Sequence, residues 1–323
     1  MDNVTHTLVG LMMSRAGIDR KIPRAALIMV IAANVPDIDA VSLAGGTLSY
    51  LKWHRSYTHA LAFAPVMALI PLAIVAVFST RAYLFSLLGV LSHLALDWTN
   101  AYGIRLLLPF SSRWLRLDQT DIVDPWIWLI LLLALAAPAL AGLVTGEISS
   151  RKTSGPKLGW AWFALLTVSV YEGARFTMHT RAIAVMNARL YNGSVARRLT
   201  AVPGRWTPLY WRGIVEGDNF VEIVPVSLNE PFDPSAGRLD DPAPPGPAIE
   251  AAKRTHAFEG FGEFCQLPFW KTTPVEGGTE VELIDLRFGT PQNPGFEAKA
   301  TVENSGEVRD AQVTFGAPPV RTR

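Results

Sequence analysis

The sequence predicts a mainly α protein, with a multi-pass helical membrane domain over residues 1–179 and a β-rich extramembrane domain over residues 180–323. Three observations predict it. Half of the 323 residues are hydrophobic, only 18% are charged and the mean hydropathy is positive, a balance that belongs to the membrane class. The first half holds uncharged runs of bilayer-crossing length. Beyond Thr180 prolines and glycines cluster, and apolar residues alternate with polar ones at the period of half-buried strands.

Taken in order, residues 5–16 form a short helical pattern around His6, Leu8, Val9, Leu11, Met12 and Met13, too short to span alone. Residues 17–24 make a cationic turn with Arg20, Lys21 and Arg24. The apolar run 25–35 stops at Pro36, which sets Asp37 and Asp39 at a helix end. Residues 60–78 carry no charge and are long enough to cross a ~30 Å hydrocarbon core, the clearest transmembrane segment of the chain. Pro65 and Pro71 lie inside it, tolerable where neighbouring helices satisfy the freed carbonyls. After the short turn 79–81, residues 83–96 form a second apolar segment, ending in His93 and Asp97.

Residues 101–123 are a polar connection, and 125–144 give a third strong span begun by Asp124-Pro125, a cap followed by a first-turn proline. Capping accounts for Asp124 fully. A weaker span over 157–176 carries Trp160, Trp162 and Tyr171, rings suited to a membrane interface. In the C-terminal part, residues 220–224, 279–284 and 297–302 alternate as strands, and 233–247 reads as an irregular loop.

Composition also excludes. A net charge of +1, with no basic stripe interleaved with aromatics, argues against nucleic acid as a partner. Cys265 is the only cysteine, which rules out an intrachain disulfide and a thiolate zinc cage. The start Met1-Asp2-Asn3-Val4-Thr5-His6 lacks the cationic beginning of a cleavable signal, so membrane insertion is expected to come from the mature helices.

The chemistry-bearing residues gather at helix ends. His54-Arg55-Ser56-Tyr57-Thr58-His59 stands just before a long apolar run, and Asn34-Val35-Pro36-Asp37-Ile38-Asp39 and Ser92-His93 to Asn100 end the runs on either side. Ionisable groups in or beside a membrane are costly and therefore point to function. His93 and Asp97, four apart on a helix, share one face and can reach one ion. With His6, Asp37, His54 and His59 they make a candidate metal set of imidazoles and carboxylates, suited to zinc, or to manganese or iron where oxygen dominates. Arg55 could hold an anionic substrate group, Asn100 could orient a ligand or water, and one of Asp37 and Asp39 could serve a neighbouring group; Arg55, Asn100 and Asp39 are the candidate catalytic residues. Each also has a plainer reading: His93 as hydrogen-bonded packing, Arg55 as a headgroup anchor, Asp37 as a helix stop. Only the coincidence at neighbouring helix ends favours a metal. His179 and His256 have no ligand neighbours in sequence and read as structural.

If the candidate ligands share one side, the opposite turns hold Arg15, Arg20, Lys21, Arg24, Arg81, Arg151, Lys152 and Lys157 against Asp19 and Glu147. The positive-inside rule makes that side cytoplasmic, with the site and the C-terminal domain periplasmic or extracytoplasmic. Arg55, Arg105, Arg113 and Arg116 on the site side oppose this bias.

These motifs resemble the YdjM/YbcI-type inner-membrane family, also called the domain-of-unknown-function 457 family, whose members are described as membrane-bound metal-dependent hydrolases. The matching residues are Asp2-Asn3-Val4-Thr5-His6-Thr7, Pro36-Asp37-Ile38-Asp39, His54-Arg55-Ser56-Tyr57-Thr58-His59, and Ser92-His93 with Asp97 and Asn100. Asp285-Leu286-Arg287-Phe288-Gly289 also looks like the family's C-terminal extension. The family is distantly similar to zinc-dependent phospholipase C and P1-type nucleases, which implies His93 and Asp97 as ligands and phosphoester hydrolysis as the reaction. This chain has fewer histidines than those enzymes and no His-x-x-x-Glu counterpart, which implies one or two ions in place of a three-metal cluster. The expectation is a metal-dependent hydrolase of a phosphoester or lipid-linked ester, in contact with the lipid bilayer of the inner membrane. The alternative is a non-catalytic scaffold or regulator whose His/Asp cluster is structural. A metal or proton transporter is a third reading, opposed by the lack of polar residues through the apolar segments.

Overall fold

Asp2 begins the first helix: its carboxylate accepts the backbone N–H groups of Val4 and Thr5, which caps α1 (Asn3–Met13). Residues 1–18, 22–148 and 157–315 are described in this computed structural model. Asp19, Arg20, Lys21, Arg151 and Lys152, used above to orient the chain, lie outside them. The chain divides into two compact units. One comprises Met1–Asp39, Arg55–Thr180 and Pro203–Pro208, the other Ala40–His54, Arg181–Val202 and Leu209–Arg323.

In the first unit α2 (Ala25–Ala32) follows a π-helical turn, and a 3-10 helix (Val35–Gly45) carries the chain on past Pro36. Beyond α3 (Thr47–Trp53), which belongs to the second unit, the segment expected as one helix over 60–78 is broken. It consists of 3-10 turns at Tyr57–His59 and Leu61–Phe63, then α4 (Ala64–Met67) and α5 (Leu69–Val75). The prolines account for the breaks: Pro65 sits in the first turn of α4 and Pro71 early in α5, where the missing N–H costs least.

Ser79 caps α6 (Thr80–Thr99), and Asp124 caps α7 (Pro125–Ile148) through the N–H groups of Trp126 and Ile127. The Tyr171 hydroxyl on α8 (Lys157–Asn187) donates to the same carboxylate, and burial pushes the Asp124 carboxyl above its ordinary range. Among the described residues only α6 is by itself long and apolar enough to cross a membrane. The count rises to three if two bent helix pairs, Ala25–Ala32 with Val35–Gly45 and Thr47–His59 with Leu61–Val75, each form one span. The weaker span expected over 157–176 is not among them, since α8 carries Glu172 and Arg175; α7 holds the apolar stretch Pro125–Leu140, and the rest of the span expected over 125–144 lies outside the residues whose side chains are described. A helical N-terminal region is present, and the one to three spans among the described residues do not by themselves establish the multi-pass expectation.

The core of this unit joins Met12 of α1, Ile28 and Met29 of α2, Leu72 of α5, Phe85 of α6, Ile127 and Leu131 of α7 and Ala164 of α8. A Cβ on Gly89 would lie 2.7 Å from Ala32 Cβ and 2.8 Å from Met29 Sδ, so α6 approaches α2 as only glycine allows. The first turn of α1 is tied to α7 by Trp128 Nε1, which donates to Thr5 Oγ1 at 2.9 Å.

The second unit holds two four-stranded antiparallel sheets. The first runs β1 (Arg198–Pro203), β2 (Tyr210–Glu216), β3 (Val221–Ser227) and β4 (Arg238–Asp240) in order. The second runs β5 (Pro268–Val275), β6 (Gly278–Asp285), β7 (Phe296–Glu303) and β8 (Val308–Phe315), preceded by α9 (Pro247–Lys253) and α10 (His256–Phe264). Residues 221–224, 279–284 and 297–302 fall in β3, β6 and β7 as their alternation predicts, with Ala298, Ala300 and Val302 turned inward. The stretch 233–247, expected as an irregular loop, contains the short edge strand β4, which pairs Asp240 with Val221. Phe264 of α10 packs against the rings of Phe288 and Phe296. Beneath them Asp285 and Arg287 form a fully buried, bidentate ion pair, so the Asp285-to-Gly289 motif serves the fold of this domain.

Candidate metal centre

The close approach at Gly89 carries the next turn of α6 onto the end of α2. There His93 Nδ1 lies 2.8 Å from the Ala33 carbonyl oxygen. A carbonyl only accepts, so Nδ1 holds the ring proton and Nε2 of the neutral ring presents a lone pair. His59 is built the same way from a different element. Its Nδ1, at the end of the 3-10 turn, lies 3.1 Å from Asp39 Oδ2, and that carboxylate also accepts the Thr58 hydroxyl at 2.6 Å and the Arg55 backbone N–H at 2.9 Å. Both Nε2 atoms are thus turned to one place, 3.1 Å apart.

Two carboxylates complete the set. Asp97 Oδ2 is 3.3 Å from His59 Nε2 and 3.5 Å from His93 Nε2, and Asp37 Oδ1 is 3.4 and 3.7 Å from the same atoms. Donors placed 2.0–2.2 Å from a tetrahedral ion stand about 3.4 Å from one another, the spacing found here. His59, His93 and Asp97 are wholly buried and Asp37 nearly so. These four side chains offer nitrogen and oxygen donor atoms close enough together that they could hold one divalent ion.

The far side of Asp97 is held by cations and donors. Its Oδ1 accepts from Arg55 Nη2 at 3.2 Å and Asn100 Nδ2 at 3.3 Å, and the Met1 amine lies against it. Arg55 is buried, with a left-handed backbone (φ 59°) that turns its N–H to Asp39 while its guanidinium reaches Asn100 Oδ1 and the Met1 carbonyl and covers the Tyr102 ring. Asn100 Oδ1 also accepts the N–H groups of Tyr102 and Gly103.

Of the sequence-predicted metal residues, the structure thus brings Asp37, His59, His93 and Asp97 onto one point. His6 is beside them: its ring stacks on His93 at 3.8 Å, and Nε2 stands 3.4 Å from Asp97 Oδ1. His54 is not one of these four; it is buried, and its ring stacks on Tyr50 at 4.5 Å. Asp39 contacts the far nitrogen of His59, and Arg55 and Asn100 contact the far oxygen of Asp97, so these three stand behind the converging donor atoms. Asn3 is a contributor that residue type alone does not single out: its Nδ2 donates to Asp37 Oδ2 at 2.9 Å. Its sequence signal is its place in the Asp2-to-Thr7 motif, three residues before His6.

Comparison with known proteins follows the same division of the chain. The family model described as YdjM inner membrane protein matches residues 1–182, and that described as YfhP C-terminal alpha/beta plait domain matches residues 247–315. A Bacillus subtilis (strain 168) relative, "Uncharacterized protein YfhP", is 31% identical over 149 residues, 42% of this chain and 46% of the relative. The match therefore spans about half of that curated relative's length. No solved structure matches the chain.

Proposed function

The chain belongs to the YdjM inner membrane protein family, and from that premise we propose that it is a membrane-bound, metal-dependent hydrolase of a phosphoester or lipid-linked ester. The observation that carries the reading is the convergence of two imidazole lone pairs and two carboxylates whose remaining positions are already engaged. His59 and His93 each spend the Nδ1 proton on an acceptor behind them, which frees Nε2 to ligate. Nitrogen and oxygen donors favour zinc, with manganese or iron next. When bound, such an ion supplies Lewis acidity and makes water a usable nucleophile near neutral pH.

The chain's own residues do the rest by position. Arg55 and Asn100 hold Asp97 in one orientation, so Oδ2 stays turned to the centre. Asp39 keeps the His59 ring from rotating and fixes its tautomer. Asp37, the least buried of the four, marks the side from which a substrate enters. These placements make Asp39, Arg55 and Asn100 positioning residues in this reading.

A second reading has its own support. The burial of His59, His93 and Asp97, and the commitment of Arg55 to Asp97 in place of a substrate anion, also suit an ion that ties helix ends together without catalysis. Elemental analysis of the detergent-purified protein beside His93→Ala and Asp97→Ala separates the readings, combined with a phosphoester and carboxylester panel. Stoichiometric metal in the parent, lost in both folded variants together with ester turnover, supports the hydrolase. Metal that stabilises the protein while no ester is cleaved supports the scaffold. A folded parent that takes up no zinc, manganese or iron sinks both.

A further inference from the structure

A groove of about 500 Å³ opens beside Asp37, within the range of small-molecule sites, about 300–1,000 Å³. Its walls are aliphatic: Val30 and Ile31 of α2, Ile38 of the 3-10 helix, and Ile70 and Ile74 of α5. Its polar groups are confined to Asn3, Thr7, Asn34 and Asp37, and hydrogen bonds join them into one chain. Asn3 Nδ2 donates to Asp37 Oδ2 at 2.9 Å and to Asn34 Oδ1 at 3.3 Å, and Asn34 Nδ2 donates to Thr7 Oγ1 at 3.0 Å. Asp37 is the only ionisable residue on the lining and also one of the four converging ligands.

We propose that this groove seats an acyl chain of a bilayer phospholipid, with the lipid's ester end at Asn3 and Asp37. The inference rests on the metal-centre reading above and gives that site its substrate class: an acyl lipid presented from within the membrane. Three features favour that occupant. The groove is amphiphilic, as a lipid is, with one polar region continuous with the metal centre. Ile38 and Ile74 are 55% and 64% exposed, so the trough opens outward to whatever surrounds the helices, which for an inner membrane protein is lipid. The walls offer an extended peptide no partners for its backbone N–H and C=O groups, whose burial without hydrogen bonds is costly, whereas a hydrocarbon chain needs none.

The test uses the full chain in nanodiscs that contain a phosphatidic acid with a photoactivatable diazirine in one acyl chain. Crosslinked positions are mapped by mass spectrometry, and Leu84 and Leu88, exposed on α6, serve as controls for lipid that merely surrounds the protein. We expect crosslinks concentrated at Ile38, Ile70 and Ile74 and competed by unlabelled lipid. Ile70→Trp and Ile74→Trp each fill the groove and should reduce the groove crosslink about tenfold at unchanged metal content. Ile74 is exposed enough that its variant keeps the proposal testable if Ile70→Trp fails to fold. Equal yields at the groove and at Leu84 and Leu88, or crosslinks indifferent to both variants, overturn the proposal. Turnover of phosphatidic acid is scored on the same samples. Groove crosslinks without turnover leave the lipid seat standing and remove the hydrolase reading; turnover with uniform crosslinks does the reverse.

Discussion

Asp39 shows how one carboxylate can govern a site without touching its centre. It accepts from the Thr58 hydroxyl, the Arg55 N–H and the His59 Nδ1–H, so three neighbouring residues are pinned to one side chain. In Asp39→Asn an amide faces His59 Nδ1 and can present N–H in place of oxygen. The ring proton then moves to Nε2, and the lone pair aimed at the centre is lost. Metal affinity should fall about 10–100-fold, the usual cost of losing such a partner, with little change in helix content. Competition with a calibrated chelator, read beside circular dichroism, checks this. Affinity within a factor of about two of the parent would mean that the tautomer is fixed by something other than Asp39. The residue types at this centre were legible in the sequence, and so was the His93/Asp97 pair, because the helical period alone puts positions four apart on one face. Which of Asp37 and Asp39 points inward was not legible. That depends on where a 3-10 helix turns each carboxylate, and on an Arg55 backbone in the left-handed region that no spacing rule anticipates.

At the level of elements, the site depends on how closely α6 packs on α2. Gly89 lets the helices touch one turn before His93, and the His93 to Ala33 hydrogen bond crosses the same contact. In Gly89→Leu the branched side chain would overlap Ala32 and Met29, two fully buried residues with no room to move. The overpacking should cost about 1–3 kcal/mol and separate the helices enough to break the His93 bond. The variant should therefore show both a lower Tm and lower metal content, whereas Gly173→Leu on α8, where a Cβ meets nothing, should leave both unchanged. A Gly89→Leu protein of parental metal content would disconnect the helix contact from the site. The sequence marks α6 well, since Ser79 caps a continuous apolar run. It misleads over residues 60–78 because hydropathy counts apolar residues and is blind to the missing N–H groups of Pro65 and Pro71. That break serves the site: it ends the turn that presents His59 before the next helix begins.

For the molecule as a whole, the helices of the first unit fix which ends share a side. Arg24, just before α2, donates to the carbonyl of Val75 at the end of α5, and the ligands lie at the other ends: Asp37 beyond α2, His59 before α4 and α5, Asp97 near the end of α6. Arg81 in the first turn of α6 stands at the end away from Asp97. On the ligand side Arg55 contacts Asp97, Arg116 contacts Asp118 and Arg105 lies over the Trp114 ring, while Arg113 is exposed and still opposes the bias. Arg15, Arg24 and Arg81 stand on the other side, and by the positive-inside rule we expect that side to be cytoplasmic and the candidate metal centre to face away from it. Tyr171 of α8 bonds to Asp124 at the start of α7, so this part of α8 lies beside the beginning of α7. An alkaline phosphatase fused to the C-terminus should therefore be active and a green fluorescent protein fusion dark. A bright fluorescent fusion with an inactive phosphatase would place the C-terminal domain in the cytoplasm and reverse this orientation. It would also require the lipid proposed for the groove to be drawn from the inner leaflet, because Asp37 and its polar neighbours would then stand at that leaflet's headgroups.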